Sequence, residues 1–411
     1  MSPVVRRFLK TLGWTLAISL ATGILAIGTL AVWVASRKEV FPAADIPIQS
    51  RLMESSFAPA ADRSLQILQK ARSDRHFPSV SMAVGVNGRL VWAGAVGYED
   101  LAAGRPASID SRYYVASIAK FFTSVALGQL VEEQKVDLTA SFHSVVPNFP
   151  SFAQDFTLAQ LQKHQAGIRH WRVRDLLNRH WYGSVREASL NLAGERLRFK
   201  PGTRTSYSTP GYTLLALAME KAAAENYPQL IQRLVLAPAG MYDTFLDSSD
   251  RSTQRRVTPY FVNGGSMVRI PEFNVSDRWA GGGFLSTPSD VVRFGNAVLQ
   301  GNMLSARFRA KVLRLQSGID DLPGIFSEEQ SPLGMKLTGG GTGWSGRSSI
   351  SIYPERGIVV AVSTNTRPAD DRGAGIDQDA IAALFAAVVA SPPQSVTAAC
   401  APVSRIDPSC P

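Results

Sequence analysis

A serine and a lysine stand three positions apart in the segment SIAK, as Ser117 and Lys120. If Ser117 opens a helix, Lys120 lies one turn further along the same face, where its ammonium group can approach the serine hydroxyl. A hydroxyl nucleophile needs such a neighbour to take up its proton, and it needs N–H donors for the oxyanion that forms. Serine is also a common helix N-cap and many lysines are only solvated, so this pair alone is compatible with a structural role.

A second candidate residue, Tyr207, stands in the polar loop Tyr207-Ser208-Thr209, between a Gly/Pro turn and a predicted helix. A phenol on such a loop can act as a base when nearby cations lower its pKa, and Lys120 is the candidate cation. A tyrosine before a helix is more often a packing residue, with a buried ring and a solvated hydroxyl. The sequence therefore leaves two interpretations of Tyr207, a proton-transfer group or a structural residue.

Together these segments resemble the serine β-lactamase and penicillin-binding-protein superfamily, in its class C-like branch, from about Val80 to Val389. The SxxK motif corresponds to Ser117 and Lys120, and YxN corresponds to Tyr207–Thr209 with threonine in the asparagine position. TLAQLQKHQAGIRHW and WAGGGFLSTPSD are similar to two further segments of that branch. Mitochondrial β-lactamase-like serine proteins also have GIRH, a YST loop and WAGGGFLST. The resemblance implies that Ser117 is the nucleophile and that Lys120 and Tyr207 move its proton.

The third motif of that family, Lys or His followed by Thr and Gly on a sheet strand, is altered in this chain. The segment LTGGGTGWSGRSSIS (337–351) lies in the corresponding place, but glycine occupies the basic position, as Gly340 or as Gly341. Lys336 lies out of register, and Arg347 is a possible substitute cation. The missing cation predicts weak acylation by penicillins and a preference for substrates without a free carboxylate next to the scissile bond.

The resemblance implies an oxyanion hole made by the amide of Ser117 and by that of Gly343 or Trp344. The complete set of implied substrate and oxyanion residues is Ser117, Thr209, Gly341, Thr342, Gly343 and Trp344. No cofactor is implied.

Other polar residues of these segments have structural interpretations. His164 and His170 are six positions apart without a third ligand at metal spacing, so hydrogen-bonded roles are expected and no metal site is predicted. In STPSD, Thr287 is a predicted helix cap to which Asp290 returns a bond. The glycines from Gly281 to Gly283 are expected to permit a tight loop.

The elements that must position these residues are predicted from turns and periodicity. Asn87-Gly88 between SVSMAVGV and RLVWAGAVGY predicts a hairpin, and a second one is expected from residues 348–353 and 358–364. Helices are predicted at 62–73 and at 377–391, with mainly helical sequence in between. We therefore expect an α/β (α+β), β-lactamase/transpeptidase-like fold, with one antiparallel sheet assembled from both ends, flanked by the N- and C-terminal helices, and a helical lobe.

The N-terminus predicts a transmembrane helix. Basic residues precede an uncharged stretch from Thr11 to Ser36, which exceeds the roughly 20 apolar residues that cross a bilayer. A signal peptide cut near Ala31 to Ser36 is the alternative. Cys400 and Cys410 in the C-terminal tail are either one local disulfide in an oxidising compartment or two unpaired thiols. The predicted domains are a membrane anchor at 1–38, a linker at 39–60, a serine hydrolase domain at 61–391 and a Pro-rich tail at 392–411.

Composition limits the remaining classes of function. The chain has 411 residues, 45% of them hydrophobic, and a formal charge of +10, but its basic residues are scattered, so no nucleic-acid partner is predicted. The sequence predicts an exported serine hydrolase that is tethered to the inner membrane with its catalytic domain on the periplasmic side, acting through an acyl-enzyme on an ester or peptide. Alternatives are a β-lactamase, a D-alanyl-D-alanine carboxypeptidase, or a non-catalytic binding or assembly protein with the same fold. The oligomeric state is left open.

Overall fold

The computed structural model describes residues 38–40, 46–150, 152–172, 175, 178–248, 255–263, 266–271, 273–301, 303–306, 309, 326–344, 346–366 and 376–390. Its strands, numbered in chain order, are β1 (Lys38–Val40), β2 (Ile48–Leu52), β3 (Ser79–Val86), β4 (Arg89–Asp100), β5 (Arg105–Pro106), β6 (Tyr113–Tyr114), β7 (Phe245–Leu246), β8 (Tyr260–Asn263), β9 (Ser266–Arg269), β10 (Phe284–Ser286), β11 (Ser327–Ser331), β12 (Gly334–Gly343), β13 (Gly346–Tyr353) and β14 (Ile358–Thr364). Its helices are α1 (Ala58–Arg75), α2 (Ala119–Glu132), α3 (Phe142–Val145), α4 (Leu158–Gln162), α5 (Val185–Ser189), α6 (Thr209–Ala223), α7 (Tyr227–Ile231), α8 (Trp279–Gly282), α9 (Pro288–Gln300) and α10 (Gln378–Ala390).

Both predicted hairpins are present. Asn87 and Gly88 join β3 to β4 with φ angles of +49° and +81°. Two consecutive residues with positive φ are the geometry of a tight hairpin turn, which explains why asparagine and glycine stand there. Strands β13 and β14 form the second hairpin in antiparallel register, and β13 begins two residues earlier than predicted, at Gly346.

The main sheet is assembled from the two ends of the described chain, as predicted. Strand β14 pairs antiparallel with β3, so that Ala361 lies opposite Ala83. The strand order is β11-β12-β13-β14-β3-β4-β2, with the short β5 paired to β4. Strand β12, which carries the altered third motif, therefore lies near one edge, next to the helical lobe.

Alternating side chains along these strands supply two hydrophobic cores. On one face, Trp92 of β4 packs with Phe385 of α10 at a ring distance of 6.2 Å, and Phe57 stacks on Phe385 at 5.6 Å. On the other face, Phe122 of α2 makes edge contacts with Phe284 and Phe294. Because almost every position of α2 is buried, this helix is fixed between the sheet and the lobe.

The middle of the chain forms the expected helical lobe, but it also contributes strands that were not predicted. Two small sheets have the orders β6-β10-β7 and β1-β9-β8. The strands of the first of these sheets have only two or three residues, too few for a period of two to be recognised in sequence. Strand β6 directly precedes the segment that contains Ser117, and strand β10 directly follows the glycines from Gly281 to Gly283.

The predicted linker at 39–60 is not a linker throughout. Residues 48–52 form strand β2, which pairs with β4, and the Trp92 indole donates a hydrogen bond to the Ser50 hydroxyl. Helix α1 begins at Ala58, four positions before the predicted start. All five residues of β2 are exposed at the sheet edge, so their composition resembles that of a linker.

Several predictions concern residues outside the described ranges. The predicted transmembrane helix at 11–36 and the two cysteines of the tail, Cys400 and Cys410, are among them. Within the ranges given above, none of the helices combines the length and the apolar character that a bilayer crossing requires.

Candidate active site

Ser117 lies at the start of the nucleophile helix without capping it. It belongs to a 3-10 turn at Ala116–Ile118 that leads directly into α2, and no side chain caps either segment. Ala116 has a φ of +45°, a left-handed conformation that is unfavourable for alanine. The serine hydroxyl instead faces Tyr207 and Lys120, so the capping interpretation of Ser117 does not hold.

Lys120 is buried, with 5% of its surface exposed. Its Nζ donates to the Gly281 carbonyl at 2.5 Å, to Thr209 Oγ1 at 3.2 Å and to Ser117 Oγ at 3.4 Å. Burial, reinforced by the positive charge of Arg278, lowers the pKa of Lys120 to about 7. A lysine with this pKa is partly neutral at neutral pH, so it can accept a proton from the serine beside it.

Tyr207 is brought to Ser117 by a capped helix. Ser208 is the N-cap of α6, where its hydroxyl accepts a hydrogen bond from the Gly211 amide and donates one to the Arg169 carbonyl. The hydroxyl oxygens of Tyr207 and Ser117 are 2.5 Å apart. Tyr207 is 45% exposed, more than is typical of a residue that serves only packing.

The pKa of Tyr207 differs from the sequence-based expectation. Partial burial raises it, although hydrogen bonds with Ser117 and Thr209 oppose the change. The cation beneath the ring is Lys120, whose Nζ is 4.8 Å from the ring centroid, but its own low pKa reduces the charge it carries. Tyr207 is therefore a protonated phenol, and Lys120 is the better base of the two.

The two histidines have the hydrogen-bonded roles expected for them. The Ser208 amide donates to Nδ1 of His164 at 3.2 Å, and the Thr209 amide donates to Nδ1 of His170 at 3.3 Å. Burial and the charge of Lys120 lower the pKa of both rings, that of His164 to about 4. No group of three or more metal-ligating side chains occurs in the described part of the chain.

Strand β12 passes directly behind the nucleophile. A Cβ atom on Gly341 would lie 2.1 Å from the Val115 carbonyl oxygen and 2.6 Å from the Ser117 amide nitrogen. A Cβ on Gly339, which shares this face of the strand, would lie 2.1 Å from the ring of Phe121. The glycines are therefore required by the close approach of β12 to α2, and Gly341 has no room for a basic side chain.

The other candidate for the basic position, Gly340, faces away from the nucleophile. The atom nearest to a Cβ added at Gly340 would be the Ser348 carbonyl oxygen, at 3.5 Å. Gly340 and Arg347 both line a cavity on the opposite side of the sheet. Lys336 is engaged there by Glu329 and Asp379. Arg347 thus does not replace the missing cation.

A cavity of about 220 Å³ opens beside Ser117 and Tyr207. Thr209, Thr342, Gly343 and Trp344 line it, as predicted, whereas Gly341 stands behind Ser117. Its mouth is aromatic: Trp344 is 53% exposed, and its ring centroid is 6.3 Å from that of Phe273. Trp171 completes the same wall.

Sequence reasoning missed two contributors to this cavity. The Gly281 carbonyl binds Lys120, and a Cβ on Gly281 would lie 2.6 Å from Thr209, so WAGGG does more than form a loop. Arg278 lines the cavity while its guanidinium is paired with Asp277 and stacked on Trp171. The sequence feature that could have indicated Arg278 is its position between the acidic Asp277 and the buried WAGGG segment.

The STPSD segment is structural, and Thr287 is the predicted helix cap, but Asp290 has other partners than the predicted one. Thr287 caps α9 by accepting a hydrogen bond from the Asp290 amide. The carboxylate of Asp290 accepts hydrogen bonds from the Asp243 amide and the Thr244 hydroxyl and forms an ion pair with Arg293. It ties α9 to the 243–244 segment and does not close a capping box.

A serine, a buried lysine one turn further and a tyrosine on a separate loop meet where an antiparallel sheet joins a helical lobe. This fold and site define a protein of the serine β-lactamase and penicillin-binding-protein superfamily. A family model described as Beta-lactamase matches residues 65–384, and the chain belongs to that family.

Among curated proteins, the chain is similar to the serine beta-lactamase-like protein LACTB, mitochondrial, of Homo sapiens. The two are 27% identical over 315 residues, which cover 60% of this chain and 57% of the relative. The chain thus spans under three fifths of the length of the curated mitochondrial relatives that it matches.

Two solved structures illustrate the fold. The octameric penicillin-binding protein homologue from Pyrococcus abyssi has a TM-score of 0.61 and 23% identity, covering 74% of this chain and 73% of that one. The D-amino acid amidase from Ochrobactrum anthropi SV3 has a TM-score of 0.64 and 21% identity, covering 78% and 97%. At these identities the likeness concerns the fold.

Proposed function

We propose that the protein is an exported, membrane-tethered serine hydrolase that acts through an acyl-enzyme on uncharged ester or amide substrates. The observation that carries this proposal is the placement of Ser117 Oγ between the hydroxyl of Tyr207, at 2.5 Å, and the amine of Lys120, at 3.4 Å. This is the arrangement that an activated nucleophile requires.

In the acylation step, Ser117 Oγ forms a bond to the substrate carbonyl carbon, and neutral Lys120 takes the serine proton. The carbonyl oxygen becomes an oxyanion beside the Ser117 amide and strand β12. When the intermediate collapses, the bond to the leaving group breaks. The leaving group receives a proton from the Tyr207 hydroxyl, which Lys120 restores. Water then attacks the ester of Ser117, with the same groups taking and returning its proton.

The walls of the cavity favour an uncharged, apolar substrate. Gly341 and Gly339 leave no space for a cation on β12, and the guanidinium of Arg278 is already paired with Asp277. The exposed ring of Trp344 and the neighbouring Phe273 offer apolar surface to an acyl or leaving group. The related solved amidase is consistent with cleavage of an amide.

Labelling of the full-length protein with a fluorophosphonate probe tests the hydrolase proposal. We expect a covalent adduct on Ser117, identified by mass spectrometry, that disappears in Ser117→Ala while the thermal unfolding temperature is retained. Ser184→Ala is a matched control, because Ser184 is the N-cap of α5 and is remote from the cavity lining. A folded protein that forms no Ser117 adduct would instead support the non-catalytic binding or assembly protein.

A substrate panel tests the proposed substrate class. Turnover of neutral aryl and alkyl esters and of amides should exceed turnover of penicillins and of peptides ending in D-alanyl-D-alanine. Rapid acylation by penicillins would point to a β-lactamase or a carboxypeptidase.

The proposed tether rests on the apolar stretch from Thr11 to Ser36. Membranes carrying the full-length protein should retain it after washing with high salt and with carbonate, because hydrophobic insertion resists both. A soluble form that begins after Ser36 would show a cleaved signal peptide.

A further inference from the structure

Two imidazole rings hold the loop that presents Tyr207. Nδ1 of His164 accepts the Ser208 amide, and Nδ1 of His170 accepts the Thr209 amide, at 3.2 and 3.3 Å. The backbone carbonyl of His164 also accepts the Ser206 amide at 2.9 Å. The residues on both sides of Tyr207 are therefore bound by histidines.

The same two rings contact the side chain of Tyr207. The ring centroid of His164 lies 4.6 Å from that of Tyr207, and the ring of His170 meets it edge-on at 5.4 Å. Because Tyr207 is 45% exposed, the two histidine rings are among the contacts that restrict its side-chain rotation. Each histidine thus restrains both the backbone and the ring of the loop.

We propose that His164 and His170 are positioning residues that hold the Tyr207 hydroxyl within hydrogen-bonding distance of Ser117. This inference rests on the proposed hydrolase function, in which Tyr207 moves a proton. Neither imidazole is hydrogen-bonded to Ser117. His164 does not line the cavity, so its ring acts through Tyr207, whereas the ring of His170 also forms part of the cavity wall. We call the two histidines and their contacts with the Tyr207 loop the clamp. A displacement of about 1 Å at a reacting group can reduce the rate about 100-fold, so loss of the clamp should have a measurable effect on catalysis.

The protonation state of the rings is fixed by their hydrogen bonds. A ring nitrogen that accepts an amide hydrogen has no proton of its own, so each neutral imidazole carries its proton on Nε2. Burial and the charge of Lys120 disfavour the imidazolium form of both rings, and Arg278 and Arg169 add to this effect at His170. Asp175 and Glu195 contact the guanidinium of Arg169.

The backbone of His164 offers a selective variant. Its φ is +58°, a left-handed conformation in which asparagine is well tolerated and leucine is not. In His164→Asn, the side-chain oxygen takes the place of Nδ1 as an acceptor near the Ser208 amide. In His164→Leu, the acceptor is lost. Both variants lack the ring and only His164→Asn keeps an acceptor, so their difference reports the hydrogen bond together with the backbone strain of leucine. His170→Leu removes the corresponding hydrogen bond at a position without a positive φ.

The test measures hydrolysis of a neutral ester by the full-length protein and its variants. We expect His164→Leu and His170→Leu to lower kcat about 10- to 100-fold, with little change in KM for His164→Leu, and His164→Asn to recover much of the loss. Combining His164→Leu with Tyr207→Phe should add little further loss, because both changes remove the same function. The control, His180→Gln, alters a surface histidine that contacts Glu187 and should have no effect.

Hydrogen–deuterium exchange of the peptide containing Ser206 to Thr209 provides a readout that does not depend on activity. Exchange should accelerate in both leucine variants and stay unchanged in His180→Gln. Faster exchange in a protein without any Ser117 adduct would retain the clamp and reject the hydrolase. Unchanged exchange, or losses of kcat that multiply with Tyr207→Phe, would overturn the clamp itself.

Discussion

The hydroxyl oxygens of Ser117 and Tyr207 lie 2.5 Å apart, although 90 residues separate them in the sequence. The distance depends on two helix starts that face each other: the 3-10 turn leading into α2 and the Ser208-capped start of α6. Thr209 links both starts, because its hydroxyl accepts a hydrogen bond from Lys120. Ser117, Lys120 and Tyr207 are therefore positioned by one connected set of contacts.

Tyr207→Phe tests the chemical role of this phenol. The ring, and its contacts with the two histidines, are retained, so only the hydroxyl bonded to Ser117 is removed. We expect kcat for a neutral ester to fall by about 10²- to 10⁴-fold, as is typical for the loss of a general acid or base. The thermal unfolding temperature should change little. A variant that is less stable but equally fast per folded molecule would return Tyr207 to a packing role.

Lys120→Met should abolish activity and stabilise the fold. Burying the charged amine is unfavourable, which is why its pKa is lowered from 10.5 to about 7. At pH 7 the folded protein binds fewer protons at this lysine than the unfolded chain does, which costs stability that an uncharged methionine of similar length does not lose. The lost hydrogen bond to the Gly281 carbonyl offsets part of that gain. Thermal or urea unfolding at pH 7 measures the difference in the free energy of unfolding between Lys120→Met and the wild type.

The pH dependence of that difference provides its control. Between pH 7 and 10.5 the unfolded wild type binds more protons at Lys120 than the folded protein does, so wild-type stability rises with pH across this interval. The advantage of Lys120→Met should therefore be largest at pH 7 and shrink towards pH 10.5. Lys336→Met should destabilise instead, since Glu329 and Asp379 hold the pKa of Lys336 above its usual value. Equal effects of both variants would contradict the argument.

Arg278 should determine where activity is lost on acidification. Because neutral Lys120 is the proposed base, kcat/KM for a neutral ester should rise with pH through about 7. Arg278→Gln removes a positive charge that lowers this pKa, so the rise should move to higher pH. Asp277, whose pKa burial already raises, can then become protonated without its partner. Arg255→Gln, a change in an exposed pair with Asp110, should leave the profile unmoved.

Local sequence signals were sufficient for much of the fold. Asn87-Gly88 predicted a hairpin because few other residues adopt two successive positive φ angles, and the strand-like runs on both sides of residues 354–357 predicted the pairing of β13 and β14. Strand β2 could not be recognised, because its exposed side chains carry no alternation of apolar and polar residues. Its place in the sheet depends on backbone hydrogen bonds to β4, which any sequence can make.

Some residues of the candidate site could be predicted from the sequence and others could not. Ser117, Lys120 and Tyr207 were predictable because their side chains carry the chemistry and their motifs fix their spacing. The Gly281 carbonyl could not be predicted, since a backbone oxygen has no residue-specific signature. The raised pKa of Tyr207 could not be predicted, because the sequence does not show that the effect of burial exceeds that of its hydrogen bonds. The run of glycines at 339–341 indicated that another segment of backbone approaches this strand closely, but the sequence did not show which segment it is.

The last prediction concerns those glycines. In Gly341→Ala, the new Cβ would lie 2.1 Å from the Val115 carbonyl oxygen and 2.6 Å from the Ser117 amide nitrogen. Both of these neighbours are backbone atoms, so β12 or the turn before α2 must shift. We expect a loss of about 1–3 kcal/mol in stability and at least a tenfold fall in kcat/KM for a neutral ester. Gly340→Ala is the matched control, because its nearest contact would be an ordinary 3.5 Å. It should retain activity, and Gly340→His should not improve binding of carboxylate ligands, since position 340 faces away from Ser117. Similar losses in both alanine variants, measured by unfolding and by kinetics, would refute the close approach of β12 to the nucleophile.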